Sequence, residues 1–173
     1  MKLSQVMQRY VVHWGEMGTR WGINRSVAQI HALLFLSSQP LNADEIAETL
    51  GIARSNVSVG LKELLSWNLI QVTHALGDRR DFFKAEQDTW EVIRIIVDGR
   101  KHRELDPTIG VLRECQALLA DDRETPKEVG ERIVAQLEFI ESLTDWYERI
   151  SKLPRKTLVK LMKLGEKVAK VIG

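Results

Sequence analysis

Apolar residues recur at helical spacing along most of this chain of 173 residues. In residues 1–22 apolar and aromatic side chains return every three or four positions, which predicts a long amphipathic helix. A second helix is predicted from about Ser26 to Ser38, and Pro40 ends it. The chain therefore begins as a helical protein.

Residues 41–67 predict two short helices joined by a tight turn. Asn42 and Glu45 stand in the N-x-x-E arrangement of a capping box, which begins the first helix. Gly51 ends it, because glycine tolerates the left-handed conformation found after a helix. The second helix is predicted over about 54–67, with an apolar stripe formed by Val57, Leu61, Leu64 and Leu65.

After Leu69 the helical spacing gives way to strand-like residues. Strands are predicted over 69–73 and 81–85, with the turn signal Gly77-Asp78 between them, and together they form a β-hairpin. Two helices followed by a hairpin are the order of a winged helix-turn-helix domain. We expect a mainly α protein with a small β-hairpin wing, in which helix 54–67 enters the DNA major groove and wing 74–81 meets the backbone or minor groove.

The polar face of the predicted recognition helix and the tip of the wing supply the candidate DNA contacts. Serine and asparagine reach base edges or phosphates, and arginine pairs bidentately with guanine. Asp78 is placed to orient one of the two wing arginines by a charge-assisted hydrogen bond. The predicted DNA-binding residues are Arg54, Ser55, Asn56, Ser58, Lys62, Arg79 and Arg80. The alternative at this stage is a helical interaction protein whose winged domain binds another protein.

The rest of the chain predicts further long helices. One runs from Thr89 to about Leu105, and Asp106-Pro107 is expected to break it and to begin the next. The apolar stripes of the later helices are large for a monomer, so we expect helix 1 and the C-terminal helices to form a homodimer interface. The predicted division is an N-terminal dimerisation helix (1–22), a winged helix-turn-helix domain (23–87) and a C-terminal helical dimerisation region (88–173).

The net charge is only +1, so a positive DNA-binding surface must come from local placement. Residues 114–148 are strongly acidic and residues 149–173 strongly basic. The lysines of the last helix form a solvated face, pair with the acidic segment, or contact DNA or a membrane surface; the sequence leaves these open. A single cysteine, Cys115, no apolar run of membrane-spanning length and no signal peptide predict a cytoplasmic protein.

The sequence contains none of the common catalytic motifs, so we expect neither an enzyme nor a bound metal or cofactor. The chain has five tryptophans. Aromatic faces attract quaternary ammonium ions, although the same side chains often serve only packing. A pocket near Trp14, Trp21 and Trp90, for an unknown small-molecule effector, is therefore a hypothesis.

Three segments resemble the MarR-type winged-helix regulators, and within them the GbsR group. They are HWGEMGTRWGINRSVAQIHALLFLSSQPL (13–41), GIARSNVSVGLKELLSWNLI (51–70) and GDRRDFF (77–83), and RKHRELDPTIGVLREC (100–115) is also similar. The resemblance implies a homodimeric transcriptional repressor with the seven residues above at DNA-contacting positions. Ala53 departs from the usual hydroxyl N-cap, which puts one phosphate contact in doubt.

Overall fold

The computed structural model describes the backbone of residues 1–172 and the side chains of residues 1–165. The elements are α1 (Gln5–Arg20), α2 (Arg25–Leu36), β1 (Leu41–Asn42), α3 (Ala43–Leu50), α4 (Arg54–Ser66), β2 (Ile70–Thr73), β3 (Phe82–Ala85), α5 (Thr89–Arg100), a π-helical turn (Lys101–Leu105), α6 (Asp106–Leu118), α7 (Lys127–Ser151) and α8 (Arg155–Ile172). The mainly α fold with a small antiparallel sheet is confirmed. Residues 1–96 form one compact unit, and a second unit begins at Val97.

The core of the first unit is built around α2. Ile30, Leu33 and Leu34 of this helix are almost fully buried, and they meet Ile46 of α3 and Val57 of α4, which are buried as well. Burying side chains of this size contributes about 1.5–3 kcal/mol each. The two helices of the helix-turn-helix are thus held against a common apolar support.

The predicted boundaries of α3, the first helix of the helix-turn-helix, are confirmed by its caps. The Asn42 side-chain oxygen accepts from the backbone N–H of Asp44 and of Glu45, each at 3.0 Å, while a Glu45 carboxylate oxygen accepts from the Asn42 backbone N–H at 2.8 Å. Gly51 has a φ of 64°, the left-handed conformation expected after α3. Ala53 makes no side-chain cap, so α4 begins without one.

The sheet has one strand more than the predicted hairpin. Its order is β1-β3-β2, all antiparallel, with Leu41 opposite Phe83 and Val72 opposite the same phenylalanine. The pattern of apolar residues gives no signal for β1, because two residues are too short to show alternation and Asn42 also caps α3. The pairing is made by a partner some forty positions away, so only the fold creates this strand.

The helix predicted to begin at Asp106-Pro107 does begin there, with the proline in its first turn, but the predicted break before it is wrong. The chain stays helical from α5 through the π-turn into α6, and Asp106 donates its backbone N–H to the Lys101 carbonyl five residues earlier. Proline inside a helix lacks an N–H and crowds the preceding turn, and a wider π-turn relieves that crowding. The Asp106 carboxylate is not a helix cap: it accepts from Lys101 Nζ at 2.8 Å and lies 2.7 Å from His102 Nδ1.

Helix α1 packs on α2 within the first unit, so part of its apolar stripe is used inside the chain. The approach is close at Gly18, where an added Cβ would lie 2.5 Å from Ala28 Cβ. Further along, His31 is buried between Trp14 and Phe35, with ring centroids at 6.5 and 6.4 Å. Its Nε2 has no hydrogen-bond partner among the described residues, and burial lowers the pKa of His31 from 6.5 to about 4.

We expect the buried His31 to make stability depend on pH. The unfolded chain takes up a proton below about pH 6.5 while the folded chain resists it until about pH 4, so acid favours unfolding across this window. Lowering the pH from 7 to 5 should reduce the free energy of unfolding by about 2 kcal/mol, measured by urea denaturation. His31→Leu, which does not titrate, should lose most of that dependence. An unchanged dependence in the variant would contradict the assignment.

Candidate nucleic-acid interface

The core orients α4 so that its polar face points to solvent. Val57, Leu61 and Leu64 are buried, and Gly60 lets the helix approach α2 closely, since an added Cβ there would lie 2.7 Å from Ile30 Cδ1. The opposite face carries the candidate contacts. Arg54, Ser55, Asn56 and Lys62 are exposed, and Ser58 is half-buried. All five therefore lie where the sequence predicts.

Val59 also lies on the outer surface of this helix and is absent from the predicted site. Its side chain is 64% exposed, although apolar residues on such a helix usually pack inward. Apolar side chains on a recognition helix contact the methyl group of thymine. The sequence contains the signal, because Val59 falls outside the apolar stripe of α4.

Arg54 is held by two side chains at the start of α4. Its Nε donates to Asp44 Oδ1 of α3 at 2.7 Å, and its Nη1 donates to Ser58 Oγ one turn further along at 2.7 Å. The pair is open to water, with the Arg54 and Asp44 side chains 51% and 69% exposed. Arg54 is thus ordered while about half of its side chain remains accessible.

The wing places its two arginines in different surroundings. Asp78 accepts from Arg80 Nε at 3.0 Å, from Arg80 Nη2 at 2.6 Å and from the Arg80 backbone N–H at 3.0 Å. These hydrogen bonds lower the pKa of Asp78 to about 2. The Arg80 guanidinium also lies 5.5 Å from the centre of the Phe82 ring. The predicted orienting role of Asp78 is therefore present, and it acts on Arg80, while the Arg79 side chain is exposed beside it.

A groove of about 390 Å³ joins the start of α3, the outer face of α4 and the base of the wing. Its apolar floor includes Leu61 and Phe83, and its rim carries Arg54, Lys62 and Arg80. The structure thus brings the cations of the helix and of the wing to one surface. Ser55, Asn56 and Arg79 do not line this groove.

Carboxylates lie among these cations. Asp44 and Asp81 line the same groove, and Asp44 and Glu45 raise the pKa of Arg80 by their charge, after the larger effect of Asp78. His74 Nδ1 lies 3.5 Å from an Asp81 carboxylate oxygen. The surface consequently carries charges of both signs, and the positions of its individual arginines and lysines matter more for binding than its net charge.

The three tryptophans of the hypothetical effector pocket occupy different elements of the first unit. Trp14 is half-buried on α1, stacks on Tyr10 at 5.7 Å between ring centroids, and lies next to His31. Tyr10 in turn stacks on Phe35 at 6.4 Å. Trp21 follows the last residue of α1 and Trp90 lies in the first turn of α5. Trp14 is therefore part of a ring cluster that the sequence hypothesis did not include.

This architecture, a helix-turn-helix preceded by one strand and followed by the two strands of a cationic wing in the same antiparallel sheet, is that of a winged-helix domain. Residues 21–81 match the model of the MarR family. Residues 21–81 are thus similar to the MarR family, and the resemblance to MarR-type regulators is confirmed.

Similar proteins agree with this assignment. The HTH-type transcriptional repressor GbsR of Bacillus subtilis (strain 168) is 26% identical over 138 residues, which cover 76% of this chain and 76% of that protein. The putative HTH-type transcriptional regulator YvaV of the same organism is 21% identical over 162 residues, covering 87% and 86%. A crystal structure of a transcriptional regulator superposes with a TM-score of 0.58 at 17% identity, covering 85% of this chain and 99% of that one, and it shows a shared fold.

Among the helices that the structure describes, none combines the length and apolar content needed to cross a membrane.

Proposed function

We propose that this chain is a sequence-specific double-stranded DNA-binding transcriptional regulator, acting as a homodimeric repressor in the cytoplasm and without enzymatic activity. The observation that carries the proposal is the common surface formed by Arg54 and Lys62 of α4 with Arg80 of the wing. The repressor named GbsR, to which the chain is similar, supports the direction of regulation.

The proposed binding mode follows from the helix and the wing. Helix α4 enters the major groove, where Ser55 and Asn56 at its exposed start reach base edges and Arg54 reads guanine. The wing lies on the backbone or in the minor groove. Arg80, ordered by Asp78, gives a fixed contact, and Arg79 gives a second cation beside it.

A winged domain that binds protein instead of DNA is the competing function. It predicts no affinity for DNA even at low salt. DNA binding predicts a steep loss of affinity with salt, because each phosphate that is neutralised releases counterions. The clustering of lysine and arginine at one groove favours DNA, since phosphates are the common partner of such cations.

The homodimer is supported by apolar side chains that stay exposed in the second unit. Leu137 of α7 is buried within the chain, but Phe139 and Trp146 of the same helix are 67% and 59% exposed. On α1, Val6 is exposed as well. Exposed apolar patches of this kind mark interaction surfaces, and a dimer matches the two half-sites that such regulators read. On α8, the apolar residues Val168 and Val171 fall outside the described side chains.

The proposed effector is a small quaternary ammonium compound bound near Trp14. Its support is the ring cluster of Tyr10, Trp14, His31 and Phe35 on α1 and α2, whose faces attract such cations. His31, with its lowered pKa, is neutral at pH 7 and does not repel a cation. Trp21 and Trp90 remain the other members of the proposed site.

We expect the wing arginines to contribute phosphate contacts. With a duplex selected by the protein from a random pool, Arg79→Ala and Arg80→Ala should each weaken binding and reduce the slope of log affinity against log salt by about 1. The matched control is Arg123→Ala, an exposed arginine in the loop before α7, which should behave as wild type. If the wild type enriches no duplex from the pool and binds no DNA at low salt, DNA binding is contradicted and the protein-contact function is favoured.

We expect the protein to sediment as a dimer at micromolar concentration. Phe139→Glu should lower the association constant of the dimer at least about tenfold, because it places a charge on an apolar surface that the dimer would bury. Gln136→Glu, exposed on the same helix, is the control for added charge. A wild-type mass that stays monomeric at every concentration would contradict the dimer.

We expect choline to quench or shift tryptophan fluorescence and to weaken binding of the selected duplex. Its uncharged isostere 3,3-dimethylbutan-1-ol should do neither, because it lacks the positive charge that attracts aromatic faces. Trp14→Phe should reduce the fluorescence response. Absence of any change with choline or glycine betaine would rule out this class of effector.

A further inference from the structure

We propose that Asp44 is a positioning residue for DNA recognition, which fixes the guanidinium of Arg54 together with Ser58 and so makes this group a determinant of sequence specificity. The inference rests on the proposed DNA-binding function. It assigns a role to a carboxylate on α3, the helix that does not enter the DNA major groove.

The contacts leave Arg54 with the donors that base reading needs. A guanidinium has five N–H donors, and Asp44 and Ser58 engage one on Nε and one on Nη1. Among the described residues, both N–H groups of Nη2 and one of Nη1 are left for a base. A bidentate contact to guanine needs two donors in a fixed relation, so the held side chain keeps a usable edge.

Asp44 is itself placed by the first turn of α3. The capping box ties the backbone N–H of Asp44 to the Asn42 side chain at 3.0 Å, and Glu45 closes the box from the other side. The shared apolar support packs α3 and α4 together. The carboxylate is therefore fixed relative to the reading helix without contacting a base.

Stability does not account for this ion pair. Both side chains are more than half exposed, and ion pairs of that kind stabilise a fold little. A carboxylate beside the DNA also repels phosphates and lowers affinity. Asp44 contributes little to folding stability and opposes DNA binding, so its role is explained if it orders Arg54. An arginine that is already ordered loses less conformational entropy when it contacts a base.

The test is a DNA selection with wild type and with Asp44→Ala, using a random-sequence duplex pool. For the winning duplex and a scrambled duplex of the same length, we expect Asp44→Ala to keep or raise affinity for the scrambled duplex. The ratio of the two affinities should fall at least about fivefold, the factor equivalent to losing one good base contact. Reselection should lose preference at one base pair in each half-site.

Three variants separate positioning from a structural role. Glu48→Ala removes an exposed carboxylate from the same helix and should leave the ratio unchanged. Asp44→Glu keeps a carboxylate and should restore part of the ratio. In an Arg54→Lys background, which lacks the planar fork, Asp44→Ala should have no further effect on the ratio.

The outcomes are distinguishable. If the wild type selects no sequence, the proposed function and this inference both fail. If the wild type selects a sequence and Asp44→Ala shows the same ratio, or loses affinity for both duplexes equally, the function stands and the inference is overturned. Thermal unfolding of Asp44→Ala and Glu48→Ala should be similar, so a loss of folding confined to Asp44→Ala would also overturn it.

Discussion

The apolar packing between α2 and α4 is the constraint on which the rest of the first unit depends. Gly60 brings the backbone of α4 against Ile30, a fully buried side chain of α2, and so sets both the distance and the rotation of the helix. The rotation decides which residues of α4 face water. The base-reading face of the proposed regulator is in this sense a consequence of core packing.

The wing is anchored to the same support. Phe83 of β3 is buried, pairs with Val72 and Leu41 on its two sides, and lines the floor of the groove beneath the cations. Because β1 runs directly into α3, the sheet and the helix-turn-helix share residues. Wing and reading helix are consequently held in one arrangement, as a reader that contacts two grooves requires.

Carboxylates order the cations of this surface. Asp78 fixes Arg80, and Asp44 fixes Arg54, each through hydrogen bonds of 2.6–3.0 Å. Every such carboxylate reduces the positive charge available to phosphates. The surface therefore attracts DNA of any sequence less strongly, but it holds its arginines in defined positions. The near-zero net charge of the chain agrees with a protein that relies on placement.

Local signals in the sequence were sufficient for the helix-turn-helix, because caps such as Asn42 and Gly51 act within a few residues and the stripe of α4 repeats at helical spacing. They also identified the exposed polar face of α4 and the turn of the wing. The strand β1, the continuous helix across Pro107 and the contact between Asp44 and Arg54 were decided by the tertiary structure. Strand pairing and an ion pair between two helices depend on groups that spacing along one element does not bring together, and only packing sets their distances. A proline gives the same local signal whether it begins a helix or lies within a continuous one, so the sequence pattern did not distinguish the two.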